Sequence, residues 1–350
     1  MKHIAGILIF TSLLACKNLP ERFAENTVAK QPVEFIETAA NQTAPNDVAT
    51  ACLLAQIAYC NDPQEQLDRF LPGWEMAWQP RLVNSNYAFV VTNGRQWAVA
   101  FRGSLMEISW HAFDNWINQD LNILTQEKWP YSGEPGAQVS QGIHNSFTNL
   151  LQLRDTLTNS SLADFLKSNI KTGTSLLLTG HSLGGSLATV YASYLYQQWQ
   201  PENRNIEIVS FAAPAPGNNE FVVDFDKKFP RMIRIESQGD IVARFPCTDR
   251  VTAFARNCDP LPSAENISVS YQGLSVSLRK ALEMSSFAMA VLELKNGGRF
   301  RQVAGAGRQI RIEPSSTVTH SVEHWFNAAG YQHGIAQYAA ALDVPVVTCP

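Results

Sequence analysis

The 350-residue chain is poor in charge of either sign. Asp, Glu, Lys and Arg make up only 17% of it, and no long Lys/Arg run occurs. With a formal net charge of −4 and no clustered basic face, a nucleic-acid partner is excluded. Long apolar runs are also missing: past the first fifteen residues nothing is extended enough to span a bilayer. Cysteine is limited to 6 residues without CxxC or Cys/His spacing, so no metal site is expected, and no cofactor is called for. Internal repeats and low-complexity tracts are absent. What remains is an ordinary globular composition, 45% hydrophobic, able to bury the core of one large domain with extensions.

The N-terminus carries the compartment signal. Lys2 precedes the apolar stretch Ile4 to Leu14, which is too short for a mature membrane span and reads as a secretory signal. It ends Leu13-Leu14-Ala15-Cys16, which resembles a bacterial lipobox, so residues 1–15 are expected to be removed and Cys16 to carry lipid. An ordinary signal peptide with a chance cysteine, giving a secreted protein, is the alternative. Residues 16–45 are polar and aperiodic and suit a tether, leaving 46–350 as the folded domain. An extracytoplasmic lipoprotein on the outer membrane or cell surface is the expected product. Five cysteines then remain, an odd number in an oxidising compartment. Cys52 and Cys60 sit two helical turns apart, too far to pair with each other. Cys247–Cys258 and Cys60–Cys349 are the expected bridges, with Cys52 as a buried apolar residue.

Strands and helices alternate along the domain. A helix is expected through Tyr59. Tyr87 to Thr92 and Gln96 to Arg102 flank Asn93-Gly94, a hairpin signal. Ser175 to Thr179, Ile206 to Phe211 and Arg231 to Glu236 are continuous apolar strands separated by helices, as in a mostly parallel sheet covered on both faces. Ser277 to Leu294 reads as a helix capping the core, and Phe300 to Ile312 as a late strand or hairpin interrupted by Gly305 and Gly307. Ser321 to Ala329 and Gly334 to Leu342 read as closing helices. The fold class is α/β with a mixed, mostly parallel sheet in three layers.

Thr179-Gly180-His181-Ser182-Leu183-Gly184-Gly185 joins a strand directly to a helix. A sharp turn there projects the Ser182 hydroxyl towards a base, and Gly180 and Gly184 allow the close backbone approach such a turn needs. The helix N-terminus favours developing negative charge, and the Leu183 N–H is a candidate oxyanion donor. A tight structural turn is the competing reading. Val99 to Ser104 is an apolar strand stopping at Gly-Ser, which brings the Ser104 N–H forward as the second donor. Asp240, beyond the end of the strand Arg231 to Glu236, is the best orienting carboxylate, against a reading as a turn former after Gly239. His181 is locked in the turn, so the base lies among His320, His324 and His333, and the residues alone do not separate His320 from His333.

Several segments in this order resemble the class 3 lipase family over Ala49 to Leu342. They are Ala58-Tyr59-Cys60, AFRGS at Ala100 to Ser104, NWINQDL at Asn115 to Leu121, TGHSLGG, SFAAPAPGNNEF at Ser210 to Phe221, GDIVARFP and THSVEHWF at Thr319 to Phe326. The resemblance implies an α/β-hydrolase fold, Ser182 as nucleophile, Asp240 as acid, and Ser104 and Leu183 as oxyanion donors. A His-Ser/Asp-hydrophobic-Asp/Glu pattern favours His320 as base, with His333 the alternative. It also implies a lid after Ser104, with Trp110, Phe113, Trp116 and Ile117 suited to a lipid surface. The expected activity is hydrolysis of lipid carboxylic esters by a monomer. A phospholipase releasing the first-position acyl chain is the nearest alternative, and an inactive surface-binding lipoprotein a more distant one. The anchor has its own test: Cys16→Ser expressed in a bacterium should lose labelled-palmitate incorporation and leave the membrane fraction, and unchanged labelling would refute Cys16 as the acylated residue.

Overall fold

Asn93 Oδ1 accepts hydrogen bonds from the N–H groups of Arg95 and Gln96, and Gly94 takes φ +82°, a left-handed conformation that suits a residue without a β-carbon. This turn joins Ala88–Thr92 to Gln96–Phe101, paired antiparallel as expected. Glu75–Trp78 adds antiparallel outside them. On the other side Ser175–His181, Asn205–Phe211, Ile233–Ser237 and Ala306–Ile310 follow in turn, all parallel, completing a seven-stranded mixed sheet. The structure is a computed structural model that describes residues 45–81, 86–105, 125–171, 173–199, 205–257, 260, 266–271, 274–295, 297–313 and 321–349. The expected signal peptide and nearly all of the tether lie outside these residues. So do the lid candidates Trp110, Phe113, Trp116 and Ile117, together with Cys16, His320 and Cys258.

Successive side chains alternate between two apolar layers, because a strand has a period of two. Val90, Val99, Phe101, Leu176, Leu178 and Ile208 face the layer built by the helices Gln141–Gln152, Leu183–Trp199 and Asn219–Lys228. Val91, Ala98, Ala100, Leu177, Val209 and Phe211 face the helix Pro45–Ile57. With both faces covered, the strands read as continuous apolar runs. The first helix is itself covered from behind. Gln56 donates to Pro345 O and accepts from Val347 N–H, and the expected Cys60–Cys349 disulfide closes the C-terminus onto it.

Two expectations are corrected. Phe300 to Ile312 is not one strand or hairpin: Phe300–Arg301 pairs with Gly217–Asn218 in a small separate sheet, and Gly305, at φ +48°, swings the chain back to Ala306–Ile310 in the main one. Cys247 is a free, buried thiol rather than half of a bridge with Cys258. It stands just before the helix Thr248–Arg256 and packs on Ala215 and Phe300. Cys52 is buried, as expected, and burial pushes its thiol up to about 12.

The helix Leu278–Lys295 buries Leu278, Ala281, Leu282 and Met289, and its Ser286 hydroxyl donates to Thr248 O at 2.6 Å. Among the described residues no helix is long and apolar enough to cross a membrane. Near the helix's end, Glu293 is buried, accepting from Phe300 N–H at 3.3 Å and from the Thr248 hydroxyl at 3.4 Å. Burial outweighs these donors and pushes its carboxyl from 4.5 up to about 7. Folding therefore binds a proton between those values, and this site's contribution falls as pH rises through them. Glu293→Gln, which keeps both hydrogen bonds without the charge, should leave stability nearly unchanged at pH 4 and raise it by up to about 3 kcal/mol at pH 8. Denaturation curves at the two pH values check this.

Candidate active site

The strand Ser175–His181 ends one residue before Ser182, and the helix Leu183–Trp199 begins one residue after it. Ser182 pays for the abrupt change with a left-handed φ of +58°. The turn is held because Ser182 N–H donates to Phe211 O at 2.9 Å, while Ser182 O accepts from Gly185 N–H at 3.0 Å. A β-carbon on Gly184 would lie 2.2 Å from Phe101 O, and one on Gly180 2.4 Å from the Gly184 backbone, so both glycines are sterically required. Leu183 opens the helix, and first-turn N–H groups have no partner within the helix. Opposite, a β-carbon built on Gly103 would lie 3.3 Å from Ser182 Cβ, so the chain entering Ser104 passes directly over the nucleophile. Among the described residues, the Ser104 hydroxyl is buried without a hydrogen-bond partner.

His333, the alternative base, faces the serine, whereas His320 lies outside the described residues. His333 Nε2 lies 2.9 Å from Ser182 Oγ, and its Nδ1 lies 2.9 and 3.1 Å from the two oxygens of Asp240. A carboxylate only accepts, so Nδ1 carries the proton and Nε2 is free to accept from the serine hydroxyl. His333 closes the helix Val322–His333, and that helix's far end is what meets the upper edge of the sheet. His324, nine residues earlier on the same helix, makes none of these contacts: its backbone N–H is taken by the Ser321 cap.

Asp240 follows the strand Ile233–Ser237, in the place its sequence context suggested, and is fully buried. Besides His333 it accepts from Val242 N–H at 2.9 Å, Ala243 N–H at 3.4 Å and the Tyr338 hydroxyl at 2.7 Å, which replace the lost water. Tyr338 escaped the sequence reading, as did Gln332. The Tyr338 hydroxyl accepts from Ser237 N–H, and Gln332 bridges the Ser237 hydroxyl to Ile312 O. Gln332 adjoins His333 in sequence, which was the signal available for it, and Tyr338, five residues on, carried none.

The acid loop is gripped from beneath. Glu236, fully buried, sits among Arg234, Arg244 and Arg250. Arg244 also donates to the carbonyls of Ser237 and Gln238, and Arg250 to that of Ala243, so both ends of the loop are tied to one carboxylate. Burial lifts the Glu236 carboxyl, but Arg234 and Arg250, with Arg244 behind them, pull it below the ordinary range. Among the described residues no group of three His, Cys, Asp or Glu is placed to hold a metal ion. The arrangement can generate a serine alkoxide equivalent at neutral pH and meet an oxyanion with backbone donors.

Residues 98–250 match the model of the lipase (class 3) family. A lipase of Caenorhabditis elegans is 36% identical over 69 residues, 20% of this chain and 20% of that protein. A phospholipase A1 of Oryza sativa is 34% identical over 74 residues, covering 21% and 19%. The chain thus spans about a fifth of the length of these curated relatives. The solved structure of M37 lipase superposes with a TM-score of 0.63 at 20% identity, over 85% of this chain and 94% of that one. The architecture is accordingly the α/β-hydrolase fold.

Removing the charge at the centre of the cluster should be severe. Glu236→Gln leaves three arginines without their counter-charge and is expected to cost about 3–5 kcal/mol. Glu134→Gln, which loses an exposed pair with Lys227, should cost less than about 1 kcal/mol. Urea midpoints of the two variants compare them directly.

Proposed function

We propose that this chain is a carboxylic ester hydrolase acting on lipids, in which Ser182 attacks the ester, His333 is the base and Asp240 holds the imidazole. The observation that carries the reading is the continuous contact from Ser182 Oγ through His333 to Asp240, with the serine on a strained turn at a helix N-terminus. Ser182 Oγ bonds to the acyl carbon as its proton passes to His333 Nε2, and Asp240 stabilises the resulting imidazolium. Leu183 and Ser104 N–H groups bind the oxyanion. The alcohol departs with the proton from His333, water then attacks the acyl-enzyme with His333 again as base, and the fatty acid leaves.

The lipid class of substrate is supported by the family match over residues 98–250. A phospholipase that removes the first-position acyl chain is the second reading, favoured by the relative named phospholipase A1. Fatty-acid release from triolein and from phosphatidylcholine separates the two. The lipobox-like Leu13 to Cys16 supports attachment to a membrane outside the cytoplasm, which would keep the enzyme beside insoluble substrate. One chain supplies every residue of the triad, which supports action as a monomer.

Turnover of a short p-nitrophenyl ester tests the assignment. Ser182→Ala and His333→Ala should each lose at least about ten-thousand-fold in kcat, and His320→Ala should stay within about twofold of the parent. Parental activity in Ser182→Ala would end the reading, and a collapse in His320→Ala with His333→Ala intact would move the base.

A further inference from the structure

The residue before the nucleophile is a buried histidine with no part in the proton transfer. His181 Nε2 lies 2.7 Å from the backbone carbonyl of His333, and His181 Nδ1 lies 2.9 Å from the Tyr59 hydroxyl. A nitrogen facing a carbonyl must carry the proton, so His181 is the Nε2–H tautomer and its Nδ1 accepts from Tyr59. Burial first, and the nearby His333 second, hold its ring well below the ordinary histidine range, in keeping with a neutral imidazole. A β-carbon at Gly103 would stand 2.2 Å from the Tyr59 hydroxyl and 2.6 Å from His181 O, which explains why the strand Gln96–Phe101 leads into a glycine.

We propose that Tyr59 and His181 are positioning residues of the active site. They form a one-directional hydrogen-bond chain from the Tyr59 hydroxyl through the His181 ring to the His333 carbonyl, with that hydroxyl seated against Gly103. This rests on the triad reading above. The chain touches all three parts of the machinery: the turn leading to the Ser104 donor, the residue adjoining Ser182, and the main chain of the base.

Two physical consequences follow. The His333 carbonyl is among the last of its helix and has no intrahelical partner, so His181 supplies the cap that fixes where the base stands. Because every donor points the same way, each bond polarises the next. The rings of His181 and His333 are only 4.6 Å apart between centroids, and His333 becomes positive during each half-reaction. With Nδ1 occupied by the Tyr59 proton, His181 has no site for a second proton unless that bond breaks. The chain therefore keeps one positive charge, not two, at the site. A histidine that merely fills the core would need neither a fixed tautomer nor a donor from Tyr59.

The test uses the full folded chain labelled with nitrogen-15 histidine. In the parent, His181 should show one protonated Nε2 and one bare, hydrogen-bonded Nδ1; a protonated Nδ1 or a cationic ring at neutral pH overturns the proposal. Tyr59→Phe should blur this into a tautomer mixture. It should lower kcat about 10- to 100-fold with KM within about twofold, as expected for a slightly misplaced base. His181→Gln, whose amide can still reach the His333 carbonyl, should retain most of kcat, whereas the similarly shaped His181→Met should lose it. Equal kcat in those two variants, or a parental kcat in Tyr59→Phe, refutes the chain. The His181 pair and the parent spectrum decide the matter even if Tyr59→Phe does not fold. Fluorophosphonate labelling of Ser182 is run in parallel. If Ser182 neither labels nor matters for turnover, the triad reading fails; if Ser182→Ala is dead while Tyr59→Phe is unaffected, only the positioning chain fails.

Discussion

The structure turns on the contact between the bend at Ser182 and the end of the strand Gln96–Phe101. Without β-carbons at Gly180 and Gly184, the backbone of the bend comes against Phe101 O closely enough that no larger residue fits. That approach brings the N-terminus of the helix Leu183–Trp199 next to the turn through Gly103, with Ser182 between them. Ser182 itself is held at φ +58°, a conformation costing about 1–2 kcal/mol that persists because the parallel strands on either side over-determine it. Stability given up here is what pre-organises the site, since donors already in place need no reorganisation when charge develops.

The other half of the site is assembled from the far end of the chain. Asp240 depends on the Glu236 cluster below its loop, and on Tyr338 and Gln332 from the closing helices above. Those helices depend in turn on the C-terminal tail, which Gln56 and the Cys60–Cys349 bridge fasten to the first helix. The face of Ile233–Ser237 opposite Ile233 and Ile235 carries Arg234 and Glu236 where the inner strands carry leucine and valine. An apolar face there would have packed as well. A charged one reaches the carbonyls of Ser237, Gln238 and Ala243, which fixes the loop that an aliphatic layer would leave free.

Much of this was legible in the residues. Continuous apolar strands, the Asn93-Gly94 turn and the glycine-flanked serine each state a local geometry, and local geometry is what a pattern encodes. The Asp240 position followed from the same logic, because a strand's end fixes where its loop begins. What failed was relational. The residues favoured neither histidine, and the family pattern pointed to His320; it is the packing of the helix Val322–His333 against the Asp240 loop that brings His333 to it. Cys247 looked free to pair with a cysteine close along the chain, but it is a free thiol buried against Ala215 and Phe300. The strand near Phe300 was misjudged for a similar reason, since Gly305 sends its halves to different sheets.

A reading of residue types would pass over Tyr59, because nothing in its own neighbourhood marks it as other than a core aromatic. Its hydroxyl acquires meaning only when the first helix, the strand entering Gly103 and the end of the helix Val322–His333 meet at one point. The general point is about which atoms a site must control. Side chains select the chemistry, but a base delivered by a helix terminus is only as well placed as that terminus, whose carbonyls lack partners unless another element supplies them. Here the supply comes from the residue adjoining the nucleophile. Any drift of the base relative to the serine must therefore break a bond between their immediate neighbours, which is a tighter constraint than two independently packed elements could impose.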